Sequence, residues 1–196
     1  MMLYTYNEMV DKKITILRYK GQDFNTSQIK NCKFYGYIEH SKMDEIFMDN
    51  LVTFLSNKLN KKIKICDLGI GLGKKIYYIS HKLKEIDFKV EVHGIEINKN
   101  LIFELKSMRN KWKVPLVIYE EDVINHNINK YDFIYLFQPF KHDEILQHLY
   151  KNIINNMKIG SIIFDPAFTK DSITNEKMKR YIIKNNDFTF YLWERV

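Results

Sequence analysis

Cysteine is scarce: Cys32 and Cys66 are the only two in 196 residues. Two thiols are too few for a disulfide framework, and Cys66 lies inside an apolar run, where a buried free thiol is the expected state. Both points favour a reducing cytoplasm. Glycine and proline are also scarce, at seven and three, which leaves no room for a Gly/Ser/Pro-rich linker, and no repeat or low-complexity segment occurs. The simplest organisation is one domain over residues 1–196, with residues 1–40 as a lid or edge extension. Long apolar runs are absent as well. The N-terminal MMLYTYNEMVDKK has no apolar stretch of signal-peptide length, and nowhere do about 18 uncharged apolar residues follow one another. The chain is therefore expected in the cytoplasm, without a membrane partner. Arginine is limited to Arg18, Arg109, Arg180 and Arg195, so the formal charge of +7 rests on lysines scattered among asparagines and isoleucines. A clustered basic face would suit phosphates. Scattered lysines read first as a solvated coat, with an RNA-binding face left open.

What the chain does have is alternation. From Ile63 onward, short apolar runs alternate with segments of helical period, the pattern of a parallel sheet covered by helices. Strands are expected at Ile63 to Leu68, Val90 to Glu96, Leu116 to Tyr119, Phe133 to Phe137, Ser161 to Phe164 and Phe188 to Trp193. Ile145, Leu146, Leu149, Tyr150, Ile153 and Ile154 mark one helix's buried stripe, and Ile76, Ile79 and Leu83 mark another's. Upstream, Ser41 and Asp44 form a capping-box pattern ahead of a helix carrying Met43, Phe47, Leu51, Phe54 and Leu55. Residues 1–40 are less patterned: KKITILRY suits a strand and GQDFNTSQIKN a loop. After Phe164 the pattern predicts one helix, around Asn175 to Asn185, and the strand FTFYLW.

The run IKICDLGIGLGKK, Ile63 to Lys75, ends a strand near Asp67 and follows it with Gly69, Gly71 and Gly73. A Gly-rich turn that opens a helix offers a ligand bare backbone N–H groups and the positive end of the helix dipole. The phosphate loop of nucleoside triphosphatases needs GxxxxGK and then Ser or Thr, but Leu68 stands at its first glycine and Lys75 at its hydroxyl. The dinucleotide fingerprint needs a third glycine where Lys74 stands, and it leaves Asp67 unexplained. A tight turn with no ligand is the plainest alternative. Lys74 and Lys75 sit unfavourably at a helix N-terminus; solvated side chains are the first reading, attraction of an anionic substrate the second.

The spacing Asp67-x-Gly69-x-Gly71-x-Gly73 resembles the first motif of the class I S-adenosylmethionine (SAM)-dependent methyltransferases. In that family the glycines let the backbone approach the cofactor's methionine part, and the acid at the strand end meets its amino group, directly or through water. By the same resemblance Glu96, in VEVHGIEIN, takes the ribose-binding position, where a carboxylate can accept both hydroxyls. In VIYEEDV the acid for the adenine amino group is assigned to Asp122, with Glu121 beside it and the Val123 N–H facing the ring. Taken alone, Asp122 reads as a helix N-cap and Glu96 as a solvated strand end. YDFIYLFQPF is similar to the family's fourth strand and the loop under the transferred methyl, and MKIGSIIFD to its lead-in to strand five. The resemblance runs from about Tyr35 to Phe164, and its weight lies in several motifs arriving in order. It implies a Rossmann-like methyltransferase fold: an α/β, doubly wound, mostly parallel sheet of six or seven strands with helices on both faces. It also implies SAM as cofactor, held by Asp67, Gly69, Ile70, Gly71, Gly73, Glu96, Ile97, Glu121, Asp122, Val123, Phe137 and Tyr37.

Methyl transfer from a sulfonium is an in-line displacement whose rate rests on alignment and exclusion of water. A base matters only when the acceptor's lone pair must be freed. Methyltransferases acting on exocyclic or amide nitrogen often carry Asn/Asp-Pro-Pro-Tyr/Phe after strand four. Here Phe137-Gln138-Pro139-Phe140 stands there, with phenylalanine at the acceptor-binding position, which argues against base or glutamine N-methylation by that mechanism. Gln138 can offer a carbonyl to an acceptor. His142 and His40, the latter in YGYIEHS, are candidate bases, each read first as a surface or structural histidine. His81, His93, His126 and His148 lack ligand spacing with cysteine or acid, so no metal site is expected. The usual family sheet closes with an antiparallel strand, and one strand is missing from the pattern after Phe164. An N-terminal edge strand, a six-stranded sheet, or a missed strand near PAFTK are the alternatives, and an uncovered edge would invite a homodimer. The acceptor is read as a small molecule or a protein, with an RNA substrate or a non-catalytic SAM-binding module as alternatives.

Overall fold

The structure is a computed structural model that describes residues 42–137, 143–166, 173, 175–184 and 189–196, without the side chains of 42–46 and 143. Strand Lys62–Leu68 (β1) shows why the sheet reads as apolar runs. Its Ile63 and Ile65 enter one hydrophobic core and its Cys66 and Leu68 another. Successive residues of a strand point to opposite faces, so a strand covered on both sides must be apolar throughout. Phe133–Leu136 (β4) divides the same way, Phe133 and Tyr135 against Ile134 and Leu136.

Helices cover the two faces. Lys42–Lys58 (α1), Lys74–Glu85 (α2) and Lys99–Ser107 (α3) bring Leu51 and Leu55, Ile76 and Ile79, and Leu101 and Leu105 to the first core. Asp143–Asn156 (α4) brings Leu149, Tyr150, Ile153 and Ile154 to the second. Each fully buried Leu or Ile contributes about 1.5–3 kcal/mol over the exposed state. The remaining strands are Lys89–Glu96 (β2), Leu116–Glu120 (β3), Ile162–Phe164 (β5), Met178–Lys184 (β6) and Thr189–Arg195 (β7). Their order is β3-β2-β1-β4-β5-β7-β6, parallel from β3 to β5, with β7 antiparallel to both its neighbours.

The C-terminal region corrects the expectation drawn from the sequence. The stretch expected as a helix around Asn175 to Asn185 holds strand β6, which is the strand that the pattern lacked, so the sheet has seven. Tyr181 and Ile183 pack on the first core while Arg180, Ile182 and Lys184, on the opposite face, are exposed. That is period-two burial on an edge strand, where charged side chains also deter pairing with another chain. The Tyr-Ile-Ile run was the strand signal. Ser41, the proposed N-terminal strand and PAFTK beyond Pro166 lie outside the described residues.

Candidate functional site

The strand order reverses direction between β1 and β4, and in open α/β sheets ligands bind outside the carboxyl ends of the strands at such a switch point. Asp67, Gly69, Gly71 and Gly73 lie at that end of β1. The chain leaves β1 with Gly69 and Ile70 donating their N–H groups to the Ile95 carbonyl of β2, at 2.9 and 3.0 Å. Gly73 then caps α2 in the left-handed conformation, φ 71°, which a residue with a Cβ adopts only under strain. A Cβ there would also lie 2.8 Å from the Trp112 ring. Gly94, in β2, was not singled out from the sequence. A Cβ on it would meet Ile70 Cδ1 at 2.4 Å and Ile70 Cβ at 3.1 Å, so its bare backbone is what lets the glycine turn lie on the sheet.

Gly71 differs from the other two. It is buried, yet a Cβ built on it would meet no atom of the described residues within 4 Å, so the space beside its backbone is open. Two buried acids lie beside it. Asp67 is 4% exposed, and its carboxylate meets no hydrogen-bond donor among the described residues. Burial, and then the neighbouring Glu96 carboxylate, push the Asp67 carboxyl well above the usual range. Glu96, also 4% exposed, is gripped by backbone. Its Oε1 accepts from the N–H groups of Ile97 (2.9 Å) and Asn98 (2.8 Å), and its Oε2 from Gly71 (3.0 Å). Burial raises its carboxyl, and those three N–H groups oppose the rise. Of a carboxylate's four acceptor positions, one is left, on Oε2. Oε2 thus keeps one acceptor position for a further donor, and the Gly71 N–H takes the other.

The acids after β3 part company. Glu121 turns to His126 Nδ1, while its own N–H donates to the Glu96 carbonyl at 3.1 Å. Asp122 stays half-buried, with Oδ1 accepting from Ile124 N–H at 3.0 Å. No helix follows, so Asp122 caps a turn rather than a helix. Val123 puts its side chain into the second core and Phe137 packs against the first, whereas Ile97 is exposed. Lys74, read as solvated, is 7% exposed. Tyr37, His40, Gln138 and His142 lie outside the described residues.

A buried polar chain runs from Glu121 beneath β3 and β2. His126 Nε2 meets the Tyr131 hydroxyl at 2.7 Å, that hydroxyl meets His93 Nδ1 at 2.9 Å, and His93 Nε2 meets Glu91 Oε1 at 2.5 Å. Each imidazole nitrogen facing an ionised carboxylate must carry a proton, and Tyr131 has one proton for two facing nitrogens. The chain is complete only with one further proton, held by one of the two imidazoles. Burial lowers the affinity of His93 for it. The sequence hides this arrangement because its members come from β2, from the turn after β3 and from the residues just before β4.

No family model matches the sequence, and no curated protein matches it significantly. Solved structures do match the fold. An RNA methyltransferase from Salinibacter ruber in complex with S-adenosyl-L-homocysteine superposes with a TM-score of 0.61 at 14% identity, over 81% of this chain and 94% of that one. A putative class I SAM-dependent methyltransferase from Listeria monocytogenes gives 0.65 at 12% identity, over 97% and 68%. Magnesium protoporphyrin IX methyltransferase from Synechocystis PCC 6803 with bound SAM gives 0.57 at 12%, over 94% and 97%. With its seven-stranded order, its glycine turn at the switch point and these neighbours, the chain has the fold of the class I SAM-dependent methyltransferases.

Proposed function

We propose that the chain is a SAM-dependent methyltransferase whose acceptor is a small molecule or a protein side chain. The observation that carries this reading is the buried Asp67 carboxylate, without a donor among the described residues, beside the open space at Gly71. A buried acid in that state calls for a cation, and the amino group of SAM is one. When bound, SAM supplies an electrophilic methyl on a sulfonium. Asp67 holds the ammonium, Gly69 and Gly71 give backbone room, Glu96 Oε2 takes a ribose hydroxyl, and Asp122, with its free Oδ2, takes the adenine amino group.

Burial raises both the Asp67 and the Glu96 carboxyl, and the Glu96 charge raises Asp67 further, so ionised Asp67 is disfavoured relative to a free carboxylate. A cation stabilises the ionised form, so its binding releases a proton at pH values between the bound and free values of this group. An RNA acceptor is the second reading, favoured by lysines crowded at the opposite edge of the sheet.

The test is turnover: formation of S-adenosylhomocysteine from SAM in the presence of separated small-molecule, protein and RNA fractions. Turnover with a small-molecule or protein fraction, unaffected by ribonuclease, is expected. Turnover confined to RNA would replace the acceptor class. Tight SAM binding with no product from any fraction would make the protein a SAM-binding module instead.

A further inference from the structure

We propose that the amino-terminal edge of the sheet carries a second site, a cleft that binds the phosphodiester backbone of a single-stranded nucleic acid. The cleft has a volume of about 550 Å³ and lies where β1 and β2 begin, below the loop that leads into β3. Its lining includes seven lysines, at 62, 64, 84, 89, 113, 130 and 158, against the two acids Glu91 and Asp132. That leaves a net +5 in one cleft, against +7 for the whole chain. Lysines far apart in sequence, which read as a scattered coat, are thus gathered by the fold onto one edge.

The acids are committed elsewhere. Asp132 accepts from Lys158 Nζ at 2.6 Å and from the Lys64 N–H at 2.7 Å, and Glu91 is held by His93 at 2.5 Å with Lys64 3.6 Å away. Lys62, Lys89 and Lys113 have no acidic partner among the described residues. Lys62 and Lys89 are also direct cross-strand partners in the β1–β2 ladder. Like charges side by side repel, and no acid among the described residues pairs with either lysine, so an external anion is the natural complement.

The chemistry of the lining narrows the anion. Lysines act as point charges, and no arginine fork lines the cleft to read a planar group bidentately. Contacts of this kind position a phosphate chain without reading its sequence. Adjacent strands lie about 4.8 Å apart, so lysines at the ends of three neighbouring strands spread over roughly 10 Å, wider than one phosphate. Ile63, Phe88, Val90, Val114 and Pro115 supply an apolar floor, against which bases can rest. The site is separate from the Asp67 site: β1 alone is seven residues long, or roughly 20 Å at about 3.3 Å per residue.

The experiment is fluorescence anisotropy with a labelled oligouridylate of about 12 nucleotides, within the ~4–16-nucleotide range of single-strand sites, at salt from about 50 to 200 mM. Two charge-matched triple variants are compared. K62E/K89E/K113E strips the cleft; K106E/K151E/K177E removes the same charge from exposed positions outside it. Circular dichroism and a SAM titration on each variant confirm the fold and keep this site's failure distinct from that of the Asp67 site. The cleft triple should weaken binding at least tenfold and flatten the log–log salt slope by about 2, as loss of three phosphate contacts at ~0.7 each requires; the control triple should change affinity less than twofold. Equal losses in both triples, no oligonucleotide binding by the wild type, or equally effective competition by uridine monophosphate would each overturn the proposal. Should the triple reversal not fold, the K62Q/K89Q pair gives the same comparison at reduced size.

Discussion

At the carboxyl ends of β1 and β2 stand Asp67 and Glu96, both 4% exposed, whereas Lys62 and Lys89, at the amino ends of the same two strands, are exposed. The first pair is acidic, buried and held beside glycines in left-handed conformations; the second is basic and exposed. The difference is one of cost. Two acids buried side by side raise each other's protonation and weaken the ligand-free fold, so they persist where a cation or a set of N–H donors compensates. Exposed lysines cost a few tenths of a kcal/mol and leave the core untouched. The carboxyl edge is therefore limited by stability, and the amino edge is an electrostatic surface that substitutions can remodel freely.

The largest expected break in that contrast is Glu96→Ala. Three backbone N–H groups lose their acceptor, at about 1–3 kcal/mol where the vacated donors stay dry, and affinity for SAM should fall at least tenfold in calorimetric titration. Next comes Gly94→Ala. Pushing Ile70 off β2 should cost about 1–3 kcal/mol by overpacking, read as a lower urea midpoint with unchanged slope, together with several-fold weaker SAM binding. Asp67→Asn sharpens the comparison by separating stability from binding. A carboxyl raised by folding takes up protons in the native state, so its contribution to stability is present at low pH and lost as pH rises through the folded value. The ligand-free Asn variant should therefore melt above the wild type at pH 8, with the gap closing as pH falls into the ordinary carboxylate range, and it should bind SAM poorly. A gap independent of pH would remove the ionisation argument. Smallest in its effect on SAM is Tyr131→Phe. It breaks the hydrogen-bonded chain between His126 and His93 and should lower stability by about 1–3 kcal/mol, while SAM affinity shifts less than twofold because the chain lies beneath the sheet.

The same contrast explains what was legible in the sequence. Buried strands such as β1 and β2 announce themselves as apolar runs, and the glycine turn and Glu96 follow them at fixed spacing, so the carboxyl edge could be read residue by residue. Edge strand β6 could not, since only Ile183 is fully buried while Met178 and Tyr181 are partly covered and its other residues are exposed. Gly94 escaped because what it must avoid, Ile70, is set by tertiary packing. The lysine cleft and the Glu121 to Glu91 chain escaped for one shared reason: their members are distant in sequence and are joined only by strand order. Composition predicted the charge, and the fold decides where it gathers.

The central claim is that the space over Gly71 between Asp67 and Glu96 is made for a cationic nucleoside. Calorimetric titration of SAM into the wild type, repeated in buffers of different ionisation enthalpy and beside Asp67→Asn, tests it most directly. Micromolar binding that releases protons in the wild type, with weaker binding and no proton release in the variant, is the predicted result. A folded wild type that does not bind SAM, or binding that the Asn variant leaves unchanged, would contradict it.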